Sequence, residues 1–137
     1  MEVVGVKTAQ VFGEYYYGKT LGLKWLDVPL VMGLNWLTLI YSAGVILNKI
    51  KLHFVIKSLI GAALLVGLDI FIEPIAIRFD FWTWTAPSVP LQNYIAWYIA
   101  AFVFLCLFYK LEFNKSNKIA LTFLLVQFGF FAILNLL

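Results

Sequence analysis

Long apolar runs with few polar interruptions make up most of this chain. Four of the runs approach or exceed the roughly 20 residues that a helix needs to cross the hydrocarbon core of a bilayer. They cover residues 29–47, 54–77, 90–111 and 118–137. The pattern predicts an all-α integral membrane protein with about four transmembrane helices, preceded by an N-terminal helical or interfacial segment. We expect residues 1–137 to form one membrane domain.

Composition and charge support this interpretation. The chain is 64% apolar and only 12% charged, with a mean hydropathy of +0.94, whereas soluble domains are about 25% charged. Lysines flank the loops near residues 50 and 115, and the positive-inside rule therefore places those loops in the cytoplasm. The net charge of +3 comes without a dense basic run. We therefore expect the lipid bilayer, and no nucleic acid, as a partner.

Two segments rich in aromatic residues are expected on the opposite side of the membrane. Residues 13–26 and 80–87 combine Tyr and Trp with Gly, Thr or Pro, which is typical of ordered loops at the headgroup level. Each leads into a Val-Pro-Leu sequence, at 28–30 and 89–91, with a Trp seven residues after the Pro. Proline suits the first turn of a helix. The repeated sequence is either a weak internal duplication or convergent interface chemistry.

Two acids interrupt the second apolar run. Asp69 and Glu73 are four residues apart, which puts them on one helix face, and each costs about 2.5 to 3.5 kcal/mol at membrane depth. Two close carboxyls in a low dielectric cannot easily both ionise, so we expect them to share a proton and to act as a general acid and base. The alternative is a polar seam that fixes helix packing. Pro74 follows at once and is expected to bend the helix.

Polar and aromatic residues from three runs and both aromatic segments are expected near this acidic pair. Alternating spans bring the start of the first run, the end of the second and the start of the third to one face of the membrane. We predict a substrate-binding pocket there, formed by Asn35, Trp36, Trp82, Trp84, Asn93 and Trp97. Glu14 is predicted to cap it as a third catalytic acid and to position water together with the two amides. The alternatives are interfacial anchoring for the tryptophans and a solvated loop charge for Glu14.

No cofactor or metal is expected. Cys106 and His53 are each the single residue of their type, which excludes a cysteine cluster or a histidine-rich metal site. The sequence also lacks a glycine-rich phosphate loop and a nucleophile elbow. Because intramembrane carboxylates also mark proton relays, a small proton-coupled transporter subunit is an alternative function.

Several motifs together indicate a family. They are Phe-Gly-Glu-Tyr-Tyr-Tyr-Gly at 12–18, Asp-x-x-x-Glu-Pro-x-Ala at 69–76, Phe-Trp-x-Trp at 81–84 and Pro-Leu-Gln-Asn-Tyr at 90–94. Their combination resembles the membrane carotenoid biosynthesis proteins, which include carotenoid 1,2-hydratases, γ-carotene 1′-hydroxylases and bisanhydrobacterioruberin hydratases.

The resemblance implies a cofactor-independent addition of water to the terminal C1=C2 bond of an acyclic carotenoid end group, giving a tertiary alcohol. It also implies a bacterial or archaeal cytoplasmic membrane and other carotenoid-pathway enzymes as partners. Members usually carry additional spans before the stretch seen here at residues 2–6, so the chain is expected to lack N-terminal spans. A membrane scaffold that binds carotenoid without converting it is a further alternative.

Overall fold

The computed structural model describes residues 2–137 and is built mainly from helices. The helices are α1 (Glu2–Thr8), α2 (Leu30–Asn48), α3 (Phe54–Arg78), α4 (Leu91–Lys110) and α5 (Ala120–Leu134). Four short strands accompany them: β1 (Tyr15–Tyr17), β2 (Lys24–Trp25), β3 (Val28–Pro29) and β4 (Trp82–Trp84). The helical membrane architecture predicted from the sequence is confirmed, and α1 is the predicted N-terminal helical segment.

Three helices, α2, α3 and α4, are long and apolar enough to cross a membrane. The fourth apolar run forms the shorter helix α5, whose 15 residues reach about 22 Å at 1.5 Å per residue. It begins two residues later than predicted because the side-chain oxygen of Asn117 accepts a hydrogen bond from the backbone N–H of Ile119 at 2.8 Å, which holds a turn there. Helix α3 continues past Pro74 to Arg78.

Small residues let the long helices approach closely in the half of the bundle away from the strands. A side chain added at Gly44 would meet the ring of Phe108 at 2.6 Å, and one added at Gly61 would meet Leu105 at 2.5 Å. These glycines therefore lie at close helix contacts, where a β-carbon would force Phe108 or Leu105 to shift. Around them lies an apolar core contributed by α2, α3, α4 and α5: Leu39, Ile40, Ala43, Ala62, Leu65, Leu68, Ala101, Leu105 and Leu124.

The two aromatic segments, expected to be loops, instead contain strands that pair with each other. In the antiparallel ladder between β1 and β4, Tyr15 lies opposite Trp84, and Tyr17 lies opposite Trp82. Because side chains alternate along a strand, these four rings share one buried face while Tyr16 points to solvent. At the end of the ladder Gly18 approaches the backbone of Asp80 so closely that a β-carbon would collide with it.

The two Val-Pro-Leu sequences occupy equivalent structural positions. Pro29 precedes α2 and Pro90 precedes α4, both with extended backbone. The tryptophan that follows each proline by seven residues points into the same space, since the rings of Trp36 and Trp97 stack with centroids 3.9 Å apart and planes 17° apart. Phe12 also stacks on Trp97, at 4.4 Å. The repeated sequence thus builds one aromatic stack from two helices.

Candidate functional site

A cavity of about 360 Å³ lies among α2, α3, α4, α5 and the β1–β4 ladder. Most of its lining is aliphatic or aromatic. The lining also includes two acids and three amides: Asn35, Asp69, Glu73, Asn93 and Gln127. An apolar cavity with a few converging polar groups is the usual form of a site for a small or lipid-like ligand.

Glu73 is buried at one end of this cavity and accepts three hydrogen bonds. It is 3% exposed. Its Oε2 accepts hydrogen bonds from the indole N–H groups of Trp82 and Trp84, at 3.0 and 3.1 Å. Its Oε1 accepts one from the amide of Asn93 at 3.2 Å. Because an indole N–H can only donate, this environment suits a carboxylate that accepts.

Asp69 lies one helical turn from Glu73 on the same face of α3 and accepts fewer hydrogen bonds. Its one side-chain hydrogen bond within the described residues comes from the Asn93 amide, at 3.4 Å to Oδ2. The amide nitrogen of Asn93 carries two hydrogens, so it can serve both acids at once. Asn93 is itself 1% exposed and is held at the first turn of α4, where its backbone N–H bonds Pro90.

The positions of these donors follow from local structure. Residues two apart in β4 point the same way, so Trp82 and Trp84 both reach Glu73. Residues four apart in α3 share a face, so Asp69 and Glu73 both reach Asn93. Pairing with β1 holds β4 over the end of α3, and the backbone N–H of Phe81 bonds the carbonyl of Ala76 at 2.8 Å.

Eight of the nine site residues predicted from the sequence line this cavity. They are Asn35, Trp36, Asp69, Glu73, Trp82, Trp84, Asn93 and Trp97. Glu14 is the exception, because its side chain is exposed and accepts a hydrogen bond from the hydroxyl of Thr85 at 3.1 Å. The structure therefore places Glu14 on the outer face of the ladder and not over the cavity.

A third buried acid, Glu2 of α1, was missed by the sequence analysis. Its Oε2 accepts hydrogen bonds from the hydroxyls of Tyr15 and Tyr17, at 2.7 and 2.9 Å. Its Oε1 is buried without a hydrogen-bond partner among residues 2–137. The alternation of Tyr15 and Tyr17 signals that both rings face inward, but the sequence gives no sign that α1 meets them.

Electrostatics at this cluster follow from burial. Loss of hydration raises the pKa of Glu2 above its ordinary value, although the tyrosine hydroxyls partly oppose the shift. Burial, followed by the adjacent Glu2 carboxyl, also raises the pKa values of Tyr15 and Tyr17. Both hydroxyls therefore keep their protons and act as donors to Glu2. The rings of Tyr15 and Tyr17 line the cavity. By accepting hydrogen bonds from both hydroxyls, Glu2 holds these two rings in the cavity wall.

Gln127 of α5 also lines the cavity and was missed. It is half-buried, and its amide has no hydrogen-bond partner within the described part of the chain. Its sequence signal is weak, because a single amide in the apolar run 120–134 equally suits a hydrogen bond to a neighbouring helix. Within residues 2–137 no three His, Cys, Asp or Glu side chains lie close enough together to form a metal site.

The chain is similar to known proteins of carotenoid biosynthesis. The model of the carotenoid biosynthesis protein family matches residues 1–137. A bisanhydrobacterioruberin hydratase from Haloarcula japonica is 30% identical to the chain, over 79% of the chain and 40% of that relative. The chain thus spans less than half the length of that relative. No solved structure matches the chain. The match over its whole length shows that the chain belongs to the carotenoid biosynthesis protein family.

Proposed function

We propose that this protein hydrates the terminal C1=C2 bond of an acyclic carotenoid end group, giving a tertiary alcohol. The observation that carries the proposal is the unequal environment of the two acids. Glu73 accepts three N–H hydrogen bonds, whereas Asp69 accepts one, from a group that it shares with Glu73. A carboxylate is stabilised by such donors, so the proton shared by the pair belongs on Asp69.

Asp69 is therefore the general acid of the proposed reaction. Its proton goes to C2, and the electrons of the C1=C2 bond form the new C2–H bond, leaving a tertiary cation at C1. Water then adds through its oxygen to C1 and loses a proton to the Asp69 carboxylate. The acid is regenerated, and the net change is the addition of one water molecule.

The aromatic lining suits the cation that this route requires. The stacked rings of Trp36 and Trp97 line the cavity together with Trp82 and Trp84. A cation over an indole face gains up to about 2 kcal/mol when water is excluded. The ionised Glu73 adds a negative charge nearby, so both the walls and the acid pair favour positive charge in the cavity.

The apolar half of the bundle favours hydration over proton transport. A proton relay needs polar groups through the whole depth of the membrane. Beyond Asp69, however, the interior is a continuous core of residues such as Leu65, Leu68 and Leu105. Within the described residues this core supplies no continuous row of acids or amides to carry a proton.

The wider setting of this activity is also a proposal. The relative named as a hydratase is much longer than the chain, so we extend its activity to this protein by inference. We infer that residues 1–137 form a single membrane domain in a bacterial or archaeal cytoplasmic membrane, in contact with other carotenoid-pathway enzymes. Substrate would enter from the lipid phase, where such a molecule dissolves.

The test is conversion of an acyclic carotenoid by the expressed protein, measured as a mass gain of one water on the end group. Asp69→Asn should lower hydration by at least about 100-fold, the usual contribution of a general acid. Asp27→Asn is the matched control, because Asp27 is an exposed acid. Pigment that co-purifies without conversion would instead identify a carotenoid-binding scaffold. Equal hydration by Asp69→Asn and the wild type would refute the role of Asp69.

A further inference from the structure

Gln127 has hydrogen-bonding capacity that the folded chain leaves unused. Its amide lines the cavity, and no hydrogen bond to it occurs among residues 2–137. The other cavity-lining residues of α5 are apolar: Val126, Phe130 and Phe131. The amide atoms of Gln127 stay accessible, since within the described residues the fully buried side-chain atom without a hydrogen bond is Oε1 of Glu2. The unpaired amide is therefore free to bind a small polar molecule in the cavity.

Helix α5 docks on α3 beside the acidic pair. The ring of Phe128 lies 6.2 Å from that of Phe71, edge to face. The side-chain amide of Asn135 also donates to the backbone carbonyl of Phe71 at 2.8 Å. Phe71 lies on the other side of α3 from Asp69 and Glu73, so these contacts fix α5 against α3 at the level of the acids. Gln127 then meets the acids as part of the lining of the same cavity.

The other amides differ in what they can still bind. Asn93 already donates to both acids, whereas the side chains of Asn35 and Gln127 make no hydrogen bond within the described residues. These two amides enter the cavity from α2 and α5, and the acids enter it from α3. A neutral amide oxygen can accept an O–H of water, which leaves a lone pair of the water free to attack.

We propose that Gln127 binds the water molecule that attacks the cation. This inference rests on the proposed hydration and assigns its second step to α5. Asp69 delivers the proton, and Gln127 holds the water that captures C1. A variant without the amide should still protonate the double bond but should capture the cation poorly.

Heavy water separates the two steps. In D₂O the Asp69 carboxyl carries deuterium and transfers it to C2. If water does not capture the cation, C2 returns either its deuterium or its hydrogen to the Asp69 carboxylate. Loss of the hydrogen reforms the C1=C2 bond with deuterium on C2. Recovered substrate then gains mass without becoming an alcohol. The ratio of alcohol formed to deuterium exchanged reports water capture and does not depend on how much protein is folded.

The experiment compares the wild type with Gln127→Met, which keeps the length of the side chain and removes the amide. Gln127→Asn retains the amide but withdraws it by one methylene. Thr122→Val is the matched control, since Thr122 is an exposed polar residue of the same helix outside the cavity lining. We expect the ratio to fall roughly tenfold in Gln127→Met, as for the loss of one hydrogen bond. It should fall less in Gln127→Asn and stay unchanged in Thr122→Val.

An unchanged ratio in both Gln127 variants overturns the assignment of the water while leaving the hydratase proposal in place. If both variants lose deuterium exchange as well as alcohol formation, the assignment is also overturned, because Gln127 would then act before water capture. A wild type that neither hydrates nor exchanges refutes the proposed function, and with it this inference.

Discussion

The indole nitrogen of Trp82 lies 3.0 Å from Oε2 of Glu73, and the hydrogen bond between them ties the β1–β4 ladder to a transmembrane helix. Trp84 reaches the same oxygen at 3.1 Å. Glu73 is thus held by two rings that β4 places on one face. This arrangement makes the N–H groups, and not the ring area alone, important for the acid pair.

Removal of one indole N–H should impair hydration. Trp82→Phe or Trp84→Phe keeps an aromatic ring but removes a hydrogen bond to a charged group, which is worth about 1.5 to 3 kcal/mol. If Glu73 loses that stabilisation, it competes with Asp69 for the shared proton. We expect the rate of hydration to fall roughly 10- to 150-fold in each variant.

The matched control for these variants is Trp25→Phe, because the Trp25 side chain is 65% exposed. Its activity should equal that of the wild type. If Trp82→Phe and Trp84→Phe were both as active as Trp25→Phe, the indole donors would have no part in catalysis. Rates should be normalised to the carotenoid bound by each variant.

The stacked tryptophans give a second prediction. If the face of Trp36 stabilises a cation, the rate of hydration should be highest in the wild type, lower in Trp36→Phe and lowest in Trp36→Leu. The reason is that indole attracts cations more strongly than benzene. The loss in Trp36→Leu should approach about 2 kcal/mol, or roughly 30-fold. The Phe and Leu variants should bind carotenoid similarly, because both side chains fill the space of residue 36 in the cavity wall. A Leu variant as fast as the Phe variant would contradict a cationic intermediate at this ring.

Much of this site could be predicted because its determinants are local. Run length sets the helices, and the alternating direction of successive helices brings residues 35, 69, 73 and 93 to one side of the bundle. Spacing in α3 sets the common face of the two acids. Such information is contained in short stretches of sequence.

Glu14 shows where local information failed. The sequence predicts a loop over residues 13–26, and a loop has no fixed alternation of side chains that would direct Glu14 away from the pocket. In the structure, Tyr15 and Tyr17 of β1 point inward, and Glu14 takes the outward direction with Tyr16. Glu2 and Gln127 could not be found in this way, because docking of α1 on the tyrosines and of α5 on Phe71 depends on packing between distant segments.

Glu2 should make stability depend on pH. Burial raises its pKa above the ordinary value of 4.5, so the folded protein keeps a proton that the unfolded chain releases. The stabilisation from this proton is complete below the unfolded pKa of about 4.5 and is lost as pH rises through the folded pKa. The free energy of unfolding should therefore fall over that range more steeply in the wild type than in Glu2→Gln.

This difference can be measured by thermal unfolding in detergent, followed by tryptophan fluorescence at a series of pH values. Other acids titrate in both proteins, so the wild type minus Glu2→Gln difference isolates Glu2. Glu112→Gln, which changes an exposed acid between α4 and α5, should preserve the wild-type slope. Parallel pH curves for the wild type and Glu2→Gln would contradict a protonated Glu2.

The close approach of α2 to α4 gives a prediction about stability alone. In Gly44→Ala the new methyl group would lie 2.6 Å from the ring of Phe108, so this buried ring must shift to make room. Overpacking of this kind costs typically about 1 to 3 kcal/mol.

Gly33→Ala in the same helix is the matched control, because no atom lies within 4 Å of the added β-carbon. That change should be neutral or stabilise the helix by up to about 1 kcal/mol. The unfolding temperature should therefore fall in Gly44→Ala and stay unchanged or rise in Gly33→Ala. Equal falls in both variants would show that the helices are not in contact at Gly44.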